Sequence, residues 1–224
     1  MKERKAKTRQ RLQRKKPIRS SYDKVLIVCE GEKTEPNYFQ EIVEWYKLNT
    51  ANVTVDGSGD SSPKSVFERA VKLWEKENQT GNPYDRVYCV IDKDSHETYE
   101  ETLRGLSFKT PKNTFYAAQS IPCFEYWLLL HFRYTTKPYA AKGNSSIGNE
   151  VEKDLKSVMP EYEKGSQKIF LFLYEKLEFA KKNAARSLQY SLDNQTDNPS
   201  THVHKLVEYL QKLKVKKPDP REPT

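Results

Sequence analysis

An α/β fold, with a mostly parallel sheet flanked by helices, is predicted by three features of this sequence. Short β-branched runs alternate with segments whose apolar residues recur every three or four positions. The first run, Val25 to Cys29, is apolar throughout, as strands covered on both faces are. Strand, acid and helix then follow one another twice, the order that builds parallel sheets from βα units.

Lys24 to Cys29 is the first predicted strand, and Glu35 to Lys47 the first helix, with Thr34 as its cap and Pro36 in its first turn. Asn52 to Val55 is a second strand. The polar loop DGSGDSS follows it, and Ser62-Pro63 starts a helix that should run to about Asn78. Arg86 to Ile91 is the third strand, followed by Asp92, Asp94 and a helix from about Ser95. Asn113 to Ala118 is the fourth, ahead of Pro122 and an aromatic-rich helix, Cys123 to Phe132.

After Arg133 a polar loop leads into sequence that reads as helical, with no further strand. A long helix is expected from about Gln167 to Leu192, its buried stripe formed by Leu173, Leu177, Ala180, Ala184 and Leu188. NPST caps a final helix ending near Lys214. The expected division is a basic arm (1–20), an α/β core (21–134), a helical part packed on it (135–214) and a tail (215–224).

Charge is uneven. The chain carries 39 basic and 31 acidic residues, yet residues 1–19 alone hold ten of the basic ones and a single acid. An arm so poor in apolar side chains cannot fold alone, and its electrostatic fit is to a polyanion such as nucleic acid or the ribosome. No apolar stretch of signal-peptide length follows it, and no run approaches the roughly 18 residues of a membrane span. The three cysteines, Cys29, Cys89 and Cys123, lie in or beside apolar segments. An odd, widely spaced set argues for buried thiols in a reducing compartment, the cytoplasm, rather than for disulfides or zinc. His131 reads as a core histidine, and His202 and His204 as surface residues beside the capping Ser200 and Thr201.

The stretch EGEKTEP, residues 30–36, looks at first like a phosphate-cradling loop. That loop needs Gly, four spacers and then Gly-Lys-Ser/Thr. Here Glu32 separates Gly31 from Lys33, and no glycine lies nearer the start of the chain. The acids are the signal instead. In a parallel sheet all strand C-termini open on one edge, so Glu30 after strand one and the Asp92/Asp94 pair after strand three can converge there. Oxygen donors without a thiolate or imidazole set favour Mg²⁺ or Mn²⁺. Glu35 is either a second-ion ligand or a favourable charge in its helix's first turn, and Glu32 a solvated one. Glu125, inside an apolar helix, faces the metal edge or accepts bonds from backbone amides.

Glu30-Gly31 and Asp92-Lys93-Asp94 resemble the Toprim domain of topoisomerases, primases and overcoming-lysogenization-defect (OLD) nucleases. More specifically, CEGEKTEPNYF, VIDKDSH, IPCFEYWLLLHF and NPSTHVHKLVEYL together resemble the RloB-like, or AbiL-type, family. The resemblance implies a Toprim-like, Rossmann-like core and a Mg²⁺-dependent endonuclease of bacterial anti-phage defence (abortive infection), encoded beside an ATPase. It implies Asp92 and Asp94 as metal ligands, Glu30 as general acid/base or ligand, Glu35 at a second ion, and a homodimer. It further implies a lysine that stabilises phosphate charge, with Lys142 and Lys168 both open. The competing expectations are a haloacid-dehalogenase-type phosphatase, in which VIDKDS supplies the nucleophile but Glu30 has no role, and a non-catalytic module that binds nucleic acid or ribosome through the basic arm.

Overall fold

The structure, a computed structural model, describes residues 22–48, 52–57, 62–93 and 97–213. The basic arm, the C-terminal tail, Asp94 and Ser95 lie outside the described residues. In chain order the elements are β1 (Val25–Cys29), α1 (Thr34–Trp45), β2 (Val53–Asp56), α2 (Pro63–Gln79), β3 (Arg86–Asp92), α3 (Tyr99–Phe108) and β4 (Phe115–Ile121). Then follow α4 (Phe124–Leu129), α5 (Ile147–Lys156), α6 (Ile169–Leu173), α7 (Leu177–Asp193), β5 (Ser200–Thr201) and α8 (Val203–Leu213).

The sheet has the order β2-β1-β3-β4-β5. Its first four strands pair in parallel and β5 closes the edge antiparallel. This is the expected mostly parallel, Rossmann-like α/β sheet flanked by helices. Because β1 pairs with β2 on one side and β3 on the other, the chain reverses its direction of winding between β1 and β3. Such a switch point opens a crevice at the strand C-termini, and that is where the site lies.

Period-two alternation distributes β1 between two cores. Val25, Ile27 and Cys29 pack with Tyr38, Phe39 and Ile42 of α1, with α4 and with α8. Leu26 and Val28 pack on the opposite face with Val66 and Ala70 of α2 and Leu106 of α3. Both sides are covered, so the run carries no polar residue. In α4 Phe124, Tyr126, Trp127, Leu128 and Leu129 are all essentially inaccessible. Each large aliphatic or phenyl group buried so completely stabilises the fold by about 1.5–3 kcal/mol, which anchors this short helix against the strand ends.

Several elements depart from the sequence expectation. The helix expected over 167–192 is interrupted: α6 ends at Leu173 and a 3₁₀ turn, Tyr174–Lys176, precedes α7. Of its predicted stripe, Leu173, Leu177, Ala180 and Ala184 are buried and Leu188 is partly exposed. β5 was not expected; two residues give no periodicity, and it is held by antiparallel pairing with the end of β4, to which the Ser120 and Thr201 hydroxyls, 3.0 Å apart, add a side-chain contact. Ser62 does cap α2, accepting the Ser65 amide. Thr34 does not cap α1, because Lys33 occupies that position and the Thr34 hydroxyl accepts the Gly165 amide at 2.8 Å instead. His204 is buried rather than on the surface, since α8 lays it against the body of the fold. His131 is buried, donating from Nδ1 to the Trp127 carbonyl, while its Nε2 has no partner among the described residues. All three cysteines are buried and free.

A candidate active site at the strand C-termini

Glu30 is the residue after β1, and its amide still donates to the Val90 carbonyl at 3.1 Å, extending the β1–β3 pairing by one step. Its Oε2 accepts the Asp92 amide at 3.1 Å. Asp92 is the last residue of β3, one further than expected, and its Oδ2 accepts the Phe124 amide at the start of α4, at 3.2 Å. Each carboxylate is thereby fixed by the backbone of the next element. β1, β3 and α4 form a relay at the crevice.

Two more acids stand beside them. Glu35 lies in the first turn of α1 and is buried, its carboxylate folded over Gly31. A methyl group on Gly31 would sit 2.1 Å from Glu35 Oε2, so the carboxylate can rest there only because residue 31 has no side chain. Glu125 is the second residue of α4 and equally buried; its Oε1 accepts the Tyr162 hydroxyl at 3.0 Å and lies 3.6 Å from Lys164 Nζ. The cavity bounded by Gly31, Glu35, Asp92, Cys123, Glu125 and Lys164 measures about 440 Å³.

Lys164 reaches this cavity because its loop is clasped to α1. Gly165, at φ +81°, has its amide bound to Thr34 and its carbonyl to Asn37 Nδ2 at 3.1 Å. A side chain at 165 would press on Lys33 at 3.0 Å as well as strain the backbone. Lys142 and Lys168 are elsewhere. Lys142 is exposed and pairs with Glu150, whereas Lys168 starts α6, its amide bound to Glu41. Two lysines border the cavity, Lys33 and Lys164, and it is Lys164 whose ammonium lies within 4 Å of a site carboxylate, a position that sequence spacing could not select.

The electrostatics follow from burial and mutual repulsion. Burial raises the Glu35 carboxyl to about 7, with the charges of Glu125 and Glu30 adding to the shift, while its own backbone hydrogen bond and Lys164 oppose it. Asp92 is raised well above the usual range, first by burial and then by Glu35, Glu125 and Glu30. The Cys123 thiol is also pushed up, by burial and then by Glu125 and Asp92, so it stays protonated and is a poor metal ligand. Lys164 is held more firmly charged by Glu125. Four carboxylates thus crowd one another, while the Lys164 ammonium lies 3.6 Å from Glu125 and 3.8 Å from Glu152.

Such a donor set suits a hard divalent cation by chemistry, being all oxygen. Among the described residues, however, no three His, Cys, Asp or Glu side chains are gathered closely enough to hold one metal ion. The hydrogen bonds give the reason: Glu30 is drawn to the Asp92 amide, Asp92 to Phe124 and Glu125 to Tyr162. Of the residues expected at the site, Glu30, Glu35, Asp92 and Glu125 come together at the crevice, and Asp94 lies outside the described residues.

No helix among the described residues is long and apolar enough to cross a membrane. The chain matches the family model of RloB-like proteins over residues 25–210, from β1 into α8, and belongs to that family. No curated protein and no solved structure matches it.

Proposed function

We propose that this member of the RloB-like family is a metal-dependent nuclease cleaving phosphodiester bonds of DNA or RNA, with its active site at the β1/β3 crevice. The observation that carries the reading is the clustering of four carboxylates, two of them raised by burial and by one another, at the switch point of a parallel sheet. Purely structural acids rarely accumulate where each destabilises the next, and a cation drawn among them would relieve that repulsion.

Asp92 and Glu30 would hold Mg²⁺ or Mn²⁺, joined by Asp94. The ion would supply Lewis acidity toward the scissile phosphate and toward water. The chain's own groups do the rest. Glu35, with its carboxyl near 7, can accept or release a proton at working pH. Lys164 places a positive charge beside the cavity, where charge on phosphate oxygens develops. Tyr162 donates to Glu125 and keeps that carboxylate in place as a positioning residue. The relation to Toprim nucleases belongs to this proposal, as does a role in anti-phage defence beside a separate ATPase. The EGEKTEP stretch, with Gly31 as its single glycine, lacks the pattern that cradles nucleotide phosphates.

Asp92→Ala tests the reading. Cleavage of plasmid or of total RNA in Mg²⁺ or Mn²⁺ should disappear while the circular dichroism spectrum is kept. Retained cleavage by the variant in a clean preparation would overturn it.

A further inference from the structure

A second cavity, of about 560 Å³, opens on the sheet face covered by α8, along β3 and β4, and shares no lining residue with the carboxylate site. Its walls are aromatic and basic. Tyr88 and Tyr116 are register partners on β3 and β4, their rings stacked at 5.1 Å and 22°. Tyr209 of α8 meets Tyr88 at 5.6 Å. The Arg86 guanidinium lies 4.3 Å from the Tyr209 ring and 4.9 Å from that of Tyr116.

Every ring is locked by its hydroxyl. Tyr88 accepts from Arg86 at 3.3 Å, Tyr116 donates to the Asn113 carbonyl at 2.8 Å, and Tyr209 donates to Asp23 at 2.6 Å. An ordered aromatic surface costs little entropy to bind against. Lys205 and Lys212 flank Tyr209 on the same stripe of α8, about 10 Å apart along the helix axis. Both are exposed, and neither pairs with a carboxylate among the described residues. Against these three cations the lining holds two acids, Glu208 and Asp23, the latter engaged by Tyr209. Tyr22 also lines the cavity, and in sequence it stands three positions after a stretch, residues 1–19, that holds ten basic residues.

We infer that this cavity is a binding site for single-stranded nucleic acid, which stacks a base on the partly exposed Tyr116 and Tyr209 rings, backed by the buried Tyr88, and sets flanking phosphates on Lys205 and Lys212. Aromatic faces between cations are the general means of gripping single strands without reading their sequence. Two lysines two helical turns apart suit successive phosphates of a strand better than the single phosphate group of a mononucleotide. The site goes beyond the carboxylate reading and does not depend on it, because binding is measured without cleavage.

The test is fluorescence anisotropy of a labelled 12-nucleotide single strand with the full chain in EDTA, which prevents metal-dependent cleavage. Three competitors are compared: the same strand, an abasic strand of equal length, and adenosine monophosphate. The wild type should prefer the base-bearing strand to the abasic one. Tyr209→Leu should lose that preference and bind about tenfold more weakly. Lys205→Ala with Lys212→Ala, at exposed positions where folding is not at stake, should weaken binding and flatten its salt dependence. Equal affinity for base-bearing and abasic strands, or unchanged affinity in both variants, would overturn the inference. Competition by the mononucleotide as strong as by the strand would overturn the assignment to a strand.

Discussion

Glu30 and Asp92, 62 residues apart in sequence, are joined directly: the carboxylate of the first accepts the backbone amide of the second at 3.1 Å. Asp92 in turn accepts the first amide of α4. These two acids are thus set by backbone groups of β3 and α4, while repulsion between the site's charges persists. That tension underlies the predictions that follow.

Gly31→Ala should disable the site without unfolding the chain. The added methyl would lie 2.1 Å from Glu35 Oε2 and must expel that carboxylate from the cavity. Cleavage should fall by about 100-fold, the usual scale for losing an acid/base group, with a melting temperature close to that of the wild type. A large drop in melting temperature would mean that Gly31 serves the fold instead.

Glu35 should make stability depend on pH in a predictable direction. Its carboxyl titrates at about 7 in the folded chain against 4.5 unfolded, so between those values the folded chain holds the extra proton. Its contribution therefore falls as pH rises through that window and is flat above it. His131, His202 and His204, lowered to about 4 chiefly by burial, act with the opposite sign between about pH 4 and 6.5. Comparing Glu35→Gln with the wild type at each pH cancels the histidines. Urea unfolding in EDTA should show the variant gaining on the wild type from pH 5 to pH 8, by up to about 3 kcal/mol. A difference that does not change with pH would contradict the raised carboxyl.

Lys164→Met should reduce cleavage by about 100-fold, as losing one preorganised charge at a reacting phosphate does, and Lys164→Arg should restore part of it. Lys142→Ala and Lys168→Ala should leave the rate unchanged, because neither lines the crevice. Steady-state rates of the four variants on one substrate check this. Equal losses in all four would mean that only general basicity matters.

The legible and illegible parts of the structure divide by range. β1, β3 and the start of α2 are written locally, in apolar runs and in Ser62-Pro63, and Glu30 and Asp92 follow from where those runs stop. Lys164 was not legible because its place depends on Gly165 meeting Thr34 and Asn37, a contact across about 130 residues with no local pattern. For the same reason Thr34 reads as a cap but serves the loop. β5 is two residues long and exists through its pairing with β4 across about 80 residues of chain, and the turn between α6 and α7 interrupts an apolar spacing that continues through it. His204 reads as polar surface because its neighbours in sequence are polar, yet burial is decided by what α8 packs upon.

Isothermal titration of Mg²⁺ into the wild type and into Asp92→Ala, in two buffers of different ionisation enthalpy near pH 7, tests the central claim most directly. The wild type should bind the ion and release protons as Glu35 and Asp92 ionise, and the variant should show neither. Absence of binding by the wild type at millimolar Mg²⁺, or equal binding by the variant, would contradict the account and leave these carboxylates as supports of the fold.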